Sequence, residues 1–288
     1  LKNKPTVRKR VLILSVLGTG TETYLCINGL IVNEPVPLGE NKTLVPLAGE
    51  IPFNVVSKLL NNDIDFSVAV LCSGNLLSQL HITDENSEKL AIAAWNAQWD
   101  ILLLSAIFNC SCNASLQCSD PIDVITEKSS LHITNYFMQG IFDKPYTLTS
   151  MDKDWITANF VKAQQLIWDE AFMTAVHSMA TYRWNPHPRV QLSILWAGIE
   201  SIFKINSELN FRISLYISKF LSNKDADEGK EIFREIKSLY KARSSAVHGD
   251  TIKGDTSSLV MRSASILNRL IRKCVENNGL PDIEDLIY

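Results

Sequence analysis

The sequence predicts an α+β protein: an N-terminal mixed β-rich and helical region over 1–150, followed over 151–288 by an all-α helical bundle. Three observations predict it. Short apolar or alternating runs separated by turn-formers fill the chain to about residue 75. From Asp84 to about residue 109 the apolar residues recur at helical spacing. After Pro186 and Pro188, which break the preceding helix, every periodic segment is helical.

In chain order, Val11–Leu17, Tyr24–Ile27 with Leu30–Val32, and Phe66–Cys72 read as strands, and Asn28-Gly29 reads as a hairpin turn. Leu90, Ala94, Ala97, Ile101, Leu104 and Phe108 define a helix over 85–109, with Trp95 and Trp99 as flanking core residues. Residues 110–148 lack a clear period, with a candidate strand near His132–Phe137. One long helix is expected from Asp152 to Tyr182, and four more at 188–205, 208–222, 226–248 and 256–277.

A 46% hydrophobic and 20% charged composition is that of a globular protein, and a net charge of −3 carries no global nucleic-acid footprint. Locally, ten Lys/Arg stand against four Asp/Glu between Lys230 and Lys273. The six cysteines have no disulfide-framework spacing. Cys110, Cys112 and Cys118 lack the second half of a zinc knuckle, with His132 as the nearest fourth ligand, so neither a metal nor another cofactor is expected. Gly18-Thr19-Gly20 has no following lysine and is not a P-loop. Arg8-Lys9-Arg10 before Val11–Leu17 reads as the approach to a buried strand rather than a signal peptide, and no apolar run reads as a membrane span. The expectation is a cytoplasmic protein with no membrane partner.

The segment that carries chemistry is Ser238–Asp250. At 100° per residue, Ile236, Leu239, Tyr240 and Val247 form one apolar stripe, and Arg243 stands in its middle. A guanidinium facing the core or a partner needs an acid or a phosphate. Five residues on, His248 precedes the helix-ending Gly249. Arginine holds phosphate oxygens and stabilises developing charge, and histidine moves protons near neutral pH. On a straight helix the two lie about 140° apart, too far to share one phosphate. Either the helix unwinds at Gly249 or two subunits complete one site. The plain alternative is that Arg243 bridges to Glu200, at the edge of the Leu192, Trp196, Ile199 and Phe203 stripe, while His248 caps its helix.

Leu195–Phe203, Phe211-Arg212, Leu239–Arg243 and Val247-His248-Gly249 together make the segment from about His187 to Glu276 resemble HEPN domains, within them the Apea-like branch. Active HEPN nucleases often carry Asn, Asp or His directly after the arginine, where this chain has Ser244. The resemblance implies a metal-independent endoribonuclease with Arg243 and His248 catalytic and Glu200 orienting. Tyr240, Arg212 and Ser244 would support them, and the cleft would form between the helices of a homodimer. It further implies an RNA substrate and a toxin-like role in antiphage defence. The N-terminal region would then be a sensor or restraint, answering to a phage-derived trigger or an antitoxin. The alternative is a non-catalytic HEPN module that binds RNA, a nucleotide or a partner protein.

Overall fold

The computed structural model describes residues 20–60, 62–136, 143–204, 209–222 and 225–287. The expected strand at Val11–Leu17 lies outside them. The chain is α+β, an antiparallel sheet region followed by a helical region, and it divides into two compact units. One holds residues 1–101 and 110–160, the other 102–109 and 161–288.

The first unit is built on a six-stranded antiparallel sheet in the order β3-β4-β5-β1-β6-β7. Its strands are β1 (Glu22–Asn28), β3 (Val36–Pro37), β4 (Lys42–Pro46), β5 (Leu76–Thr83), β6 (Asn113–Cys118) and β7 (Leu131–Ile133). Central β1 pairs with β5 on one side and β6 on the other. Both its faces are covered, so it reads as a nearly continuous apolar run. One face packs Cys26, Leu116, Cys118 and Leu131 against α1 (Phe53–Leu59) and α2 (Asp63–Ser73), through Val56, Val68, Ala69 and Cys72. On the other face Leu25, Leu80 and Leu44 lie side by side in register. There Lys42 reaches Asp100 of helix α3 (Ser87–Phe108) at 2.5 Å in a largely buried ion pair.

Two sequence expectations are corrected here. Asn28-Gly29 does not close a hairpin: both edges of β1 are already occupied, and β2 (Leu30–Ile31) instead pairs in parallel with β8 (Tyr146–Thr147). Phe66–Cys72 is not a strand but most of α2. The Asn62 side chain accepts from the Asp65 amide, and Asp63 and Asp65 occupy the first turn, which is a helix start. Phe66, Val70 and Leu71 face outward, giving the helix an apolar run on two faces that resembles a buried strand.

Helix α3 is long and apolar enough, by length and composition, to cross a membrane, contrary to the expectation that no run is. Yet 61% of its most apolar stretch is buried inside the protein, as in a core helix.

The second unit is helical, with α5 (Glu170–Thr181), α6 (Pro188–Phe203), α7 (Leu209–Leu221), α8 (Ala226–His248), α9 (Thr256–Glu276) and the short α10 (Ile283–Ile287). The single helix expected over 152–182 is two. Helix α4 (Ser150–Leu166) stops, and Asp169 caps α5 by accepting from the amides of Ala171 and Phe172. Helix α6 lies at the centre of the unit, between α5 and α9. Its Gly198 permits this: a Cβ there would stand 2.7 Å from Ser178 Cβ and 3.0 Å from Leu267 Cδ2. Trp196, fully buried, donates its indole N–H to Ser263 Oγ at 3.2 Å. The last turn of α3 also belongs here, its Ala106 and Ile107 carbonyls capped by the Asn268 amide.

Candidate functional site

Helix α8 carries the Arg-x4-His pair. Asp225 starts it by accepting from the Asp227 and Glu228 amides, with both acids favourably placed in the first turn. The helix then runs unbroken to His248, and Gly249 ends it in the left-handed region at φ 81°, where a side chain would be strained. Ile232, Ile236, Leu239, Tyr240, Ala242 and Ala246 form the buried stripe. Val247, expected on that stripe, is half exposed.

Arg243 sits within this stripe and points to α6. Its Nη2 donates to Glu200 Oε2 at 2.8 Å, with about a fifth of each side chain accessible. Burial holds the Glu200 carboxyl above its ordinary range, and the adjacent guanidinium only partly offsets this. The pairing is incomplete: Glu200 Oε1 and Arg243 Nε are buried with no hydrogen-bond partner. Tyr240 forms the floor. Its ring lies 5.6 Å beneath the Arg243 guanidinium and meets Trp196 edge-on at 5.4 Å. Burial is also the main reason the Tyr240 hydroxyl titrates above its ordinary value.

His248 is exposed on the last helical residue, and no hydrogen bond to a described residue holds its ring. The backbone beneath it is held firmly. Arg189, in the first turn of α6, donates Nη1 to the carbonyls of Ser245 at 2.7 Å and Ala246 at 3.1 Å, and Nη2 to that of Asp250 at 2.9 Å. One planar fork thus satisfies orphan carbonyls on both sides of His248. Sequence reasoning missed Arg189. The available signal was a fork-shaped donor directly after Pro188, at the start of the helix that carries Glu200.

The structure brings Arg243, Glu200 and Tyr240 together and places Ser244 beside them, half-buried. It leaves His248 at the exposed tip and Arg212 exposed on α7. Because α8 stays helical through His248, unwinding before Gly249 does not bring the pair together. They stand about 7.5 Å apart along the axis and on different faces. The cysteines separate as well. Cys110 and Cys112 approach to 3.4 Å between sulfurs, while Cys118 lies in the sheet core with its sulfur 3.9 Å from that of Cys26. Among the described residues no group of three or more His, Cys, Asp or Glu is arranged to hold a metal ion.

No protein-family model, no curated protein and no solved structure matches this chain.

Proposed function

We propose that the helical unit is a metal-independent endoribonuclease of HEPN type that works as a homodimer. The observation that carries the reading is the α8 end itself. An arginine is oriented by a half-buried acid, and just over one turn on an exposed histidine stands over a backbone clamped by Arg189. In a two-fold cleft lined by two such ends, Arg243 stabilises the charge that builds on the phosphate. One His248 takes the proton of the ribose 2′-OH as its oxygen attacks phosphorus. The other His248 gives a proton to the 5′-oxygen as the P–O5′ bond breaks. The products are a 2′,3′-cyclic phosphate and a 5′-hydroxyl. Exposed Val190 and Val247, flanking Arg189 and His248 in sequence, supply apolar surface at this end for a second copy.

In this reading the sheet unit senses a phage-derived trigger or binds an antitoxin that keeps the nuclease inactive, in a toxin-like antiphage role in the cytoplasm. Expression of wild type and His248→Ala in bacteria tests the activity: wild type arrests growth and fragments RNA, and the variant does neither.

The ion pair favours one second reading. Arg243 engaged by Glu200 is also what a structural bridge requires, and a non-catalytic module that binds RNA, a nucleotide or a partner would keep it. In that case Arg243→Met lowers stability, and wild type itself leaves RNA intact.

A further inference from the structure

The helical unit carries a second surface on the solvent side of α8. Lys230, Arg234, Lys237 and Lys241 recur at intervals of four, three and four residues, and all four are exposed. At 100° per residue each projects within about 40° of His248, so the row runs about 27 Å along one face to the histidine. Two exposed acids flank the start of this row, Asp227 and Glu231, and none stands beyond them among Arg234, Lys237 and Lys241 on the same face. Glu228 and Glu235 are turned away to Arg269 and Arg262 of α9. Lys230 makes only an exposed pair with Asp227, of a kind that contributes little.

At the far end the row opens into a groove of about 570 Å³ between α7 and α8. Phe211, Leu215 and Phe233 give it an apolar floor, and Lys219, Lys230 and Arg234 line it with positive charge. Phe211 meets Phe233 in a T-shaped contact at 6.0 Å and is still 58% exposed, so more than half of the side chain is open to a planar group. Asp225, the one acid lining the groove among the described residues, is engaged in capping α8.

We propose that this face binds single-stranded RNA. One base stacks on Phe211 in the groove, and the phosphates that follow lie along Lys230, Arg234, Lys237 and Lys241 toward His248. An aromatic platform beside a row of cations is how proteins bind single strands without reading sequence. Paired RNA offers no unstacked base to the groove. Only the direction of the strand, toward His248, rests on the nuclease reading.

The test is fluorescence anisotropy of full-length protein with a labelled 2′-O-methyl RNA of about 12 nucleotides, within the range of ~4–16 for single-strand sites. This probe cannot be cleaved, so binding is read apart from activity. Four phosphate contacts predict a slope of log affinity against log salt of about −2.8. Arg234→Ala with Lys237→Ala lowers its magnitude by about 1.4. Phe211→Ala weakens binding about tenfold at an unchanged slope. All are exposed positions, and a thermal melt checks that each variant folds. Variants that bind as wild type does, equal affinity for duplex RNA, or equal displacement by polyglutamate of matched charge would each overturn the inference. A wild type that cleaves ordinary RNA while these variants bind unchanged removes this surface and keeps the nuclease. One that binds as stated and never cleaves keeps this surface and removes the nuclease.

Discussion

Glu200 and Arg243 meet through one hydrogen bond of 2.8 Å and leave a further atom on each side, Oε1 and Nε, buried without a partner. A purely structural pair would be expected to use both edges of the fork, because each unsatisfied buried polar atom costs about 1–3 kcal/mol. The incomplete pairing marks one place where the helical unit gives up stability. A double-mutant cycle of Glu200→Gln and Arg243→Met in urea should give a coupling of about 1–2 kcal/mol, a partly exposed pair lying between surface and buried values. A coupling near zero would remove Glu200 as the group that orients Arg243.

The pH dependence of stability follows from the same carboxyl. Burial raises the Glu200 value above 4.5, with Arg243 opposing. Between the unfolded and the folded value the native protein binds the extra proton, so stability is fully present below about 4.5 and declines as pH rises through the folded value. Stability of wild type relative to Glu200→Gln should therefore fall as pH rises from that value, and level off above the folded one. Urea midpoints of both proteins between about pH 4 and about pH 8 check this, and a difference that grows with pH contradicts it.

Arg189 should act on His248 through the backbone. Arg189→Ala frees the carbonyls of Ser245, Ala246 and Asp250, so amide exchange over residues 245–250 should speed up while α9 stays protected. Arg189→Lys, lacking the planar fork, should protect only in part. Unchanged exchange in Arg189→Ala would show that the clamp does not hold this end.

Gly198 sets the spacing of α5, α6 and α9. Gly198→Ala places a methyl 2.7 Å from Ser178 Cβ and should cost about 1–3 kcal/mol, read as a lower thermal midpoint. Pairing it with Ser178→Gly should recover part of the loss.

Helix α8 was the most legible element. An apolar stripe and Gly249 as stop point to a helix ending at His248, and the helical phase alone puts Arg243 on the covered face; the Asp225 cap emerged only in the structure. Glu200 was legible for the same reason, since its position at the edge of the α6 stripe leaves room to reach across. Local period could not reveal what non-local pairing decides. The partner of Leu30–Ile31 lies more than a hundred residues away, and β1 had no free edge to offer it. The α2 helix was hidden because Phe66, Val70 and Leu71 are apolar yet exposed. The break before α5 rests on one side chain, Asp169, inside an otherwise helical pattern. Arg189 was missed because its partners are backbone carbonyls, which leave no mark in sequence beyond the arginine's own place after Pro188.

The most direct measurement is cleavage of end-labelled single-stranded RNA by purified wild type, His248→Ala and Arg243→Met, each with EDTA present. The nuclease reading predicts fragments ending in a 2′,3′-cyclic phosphate from wild type, and rates lower by about 10²–10⁴ for His248→Ala. Arg243→Met should lose at least as much. Cleavage by His248→Ala at the wild-type rate, or intact RNA with wild type itself, would contradict it.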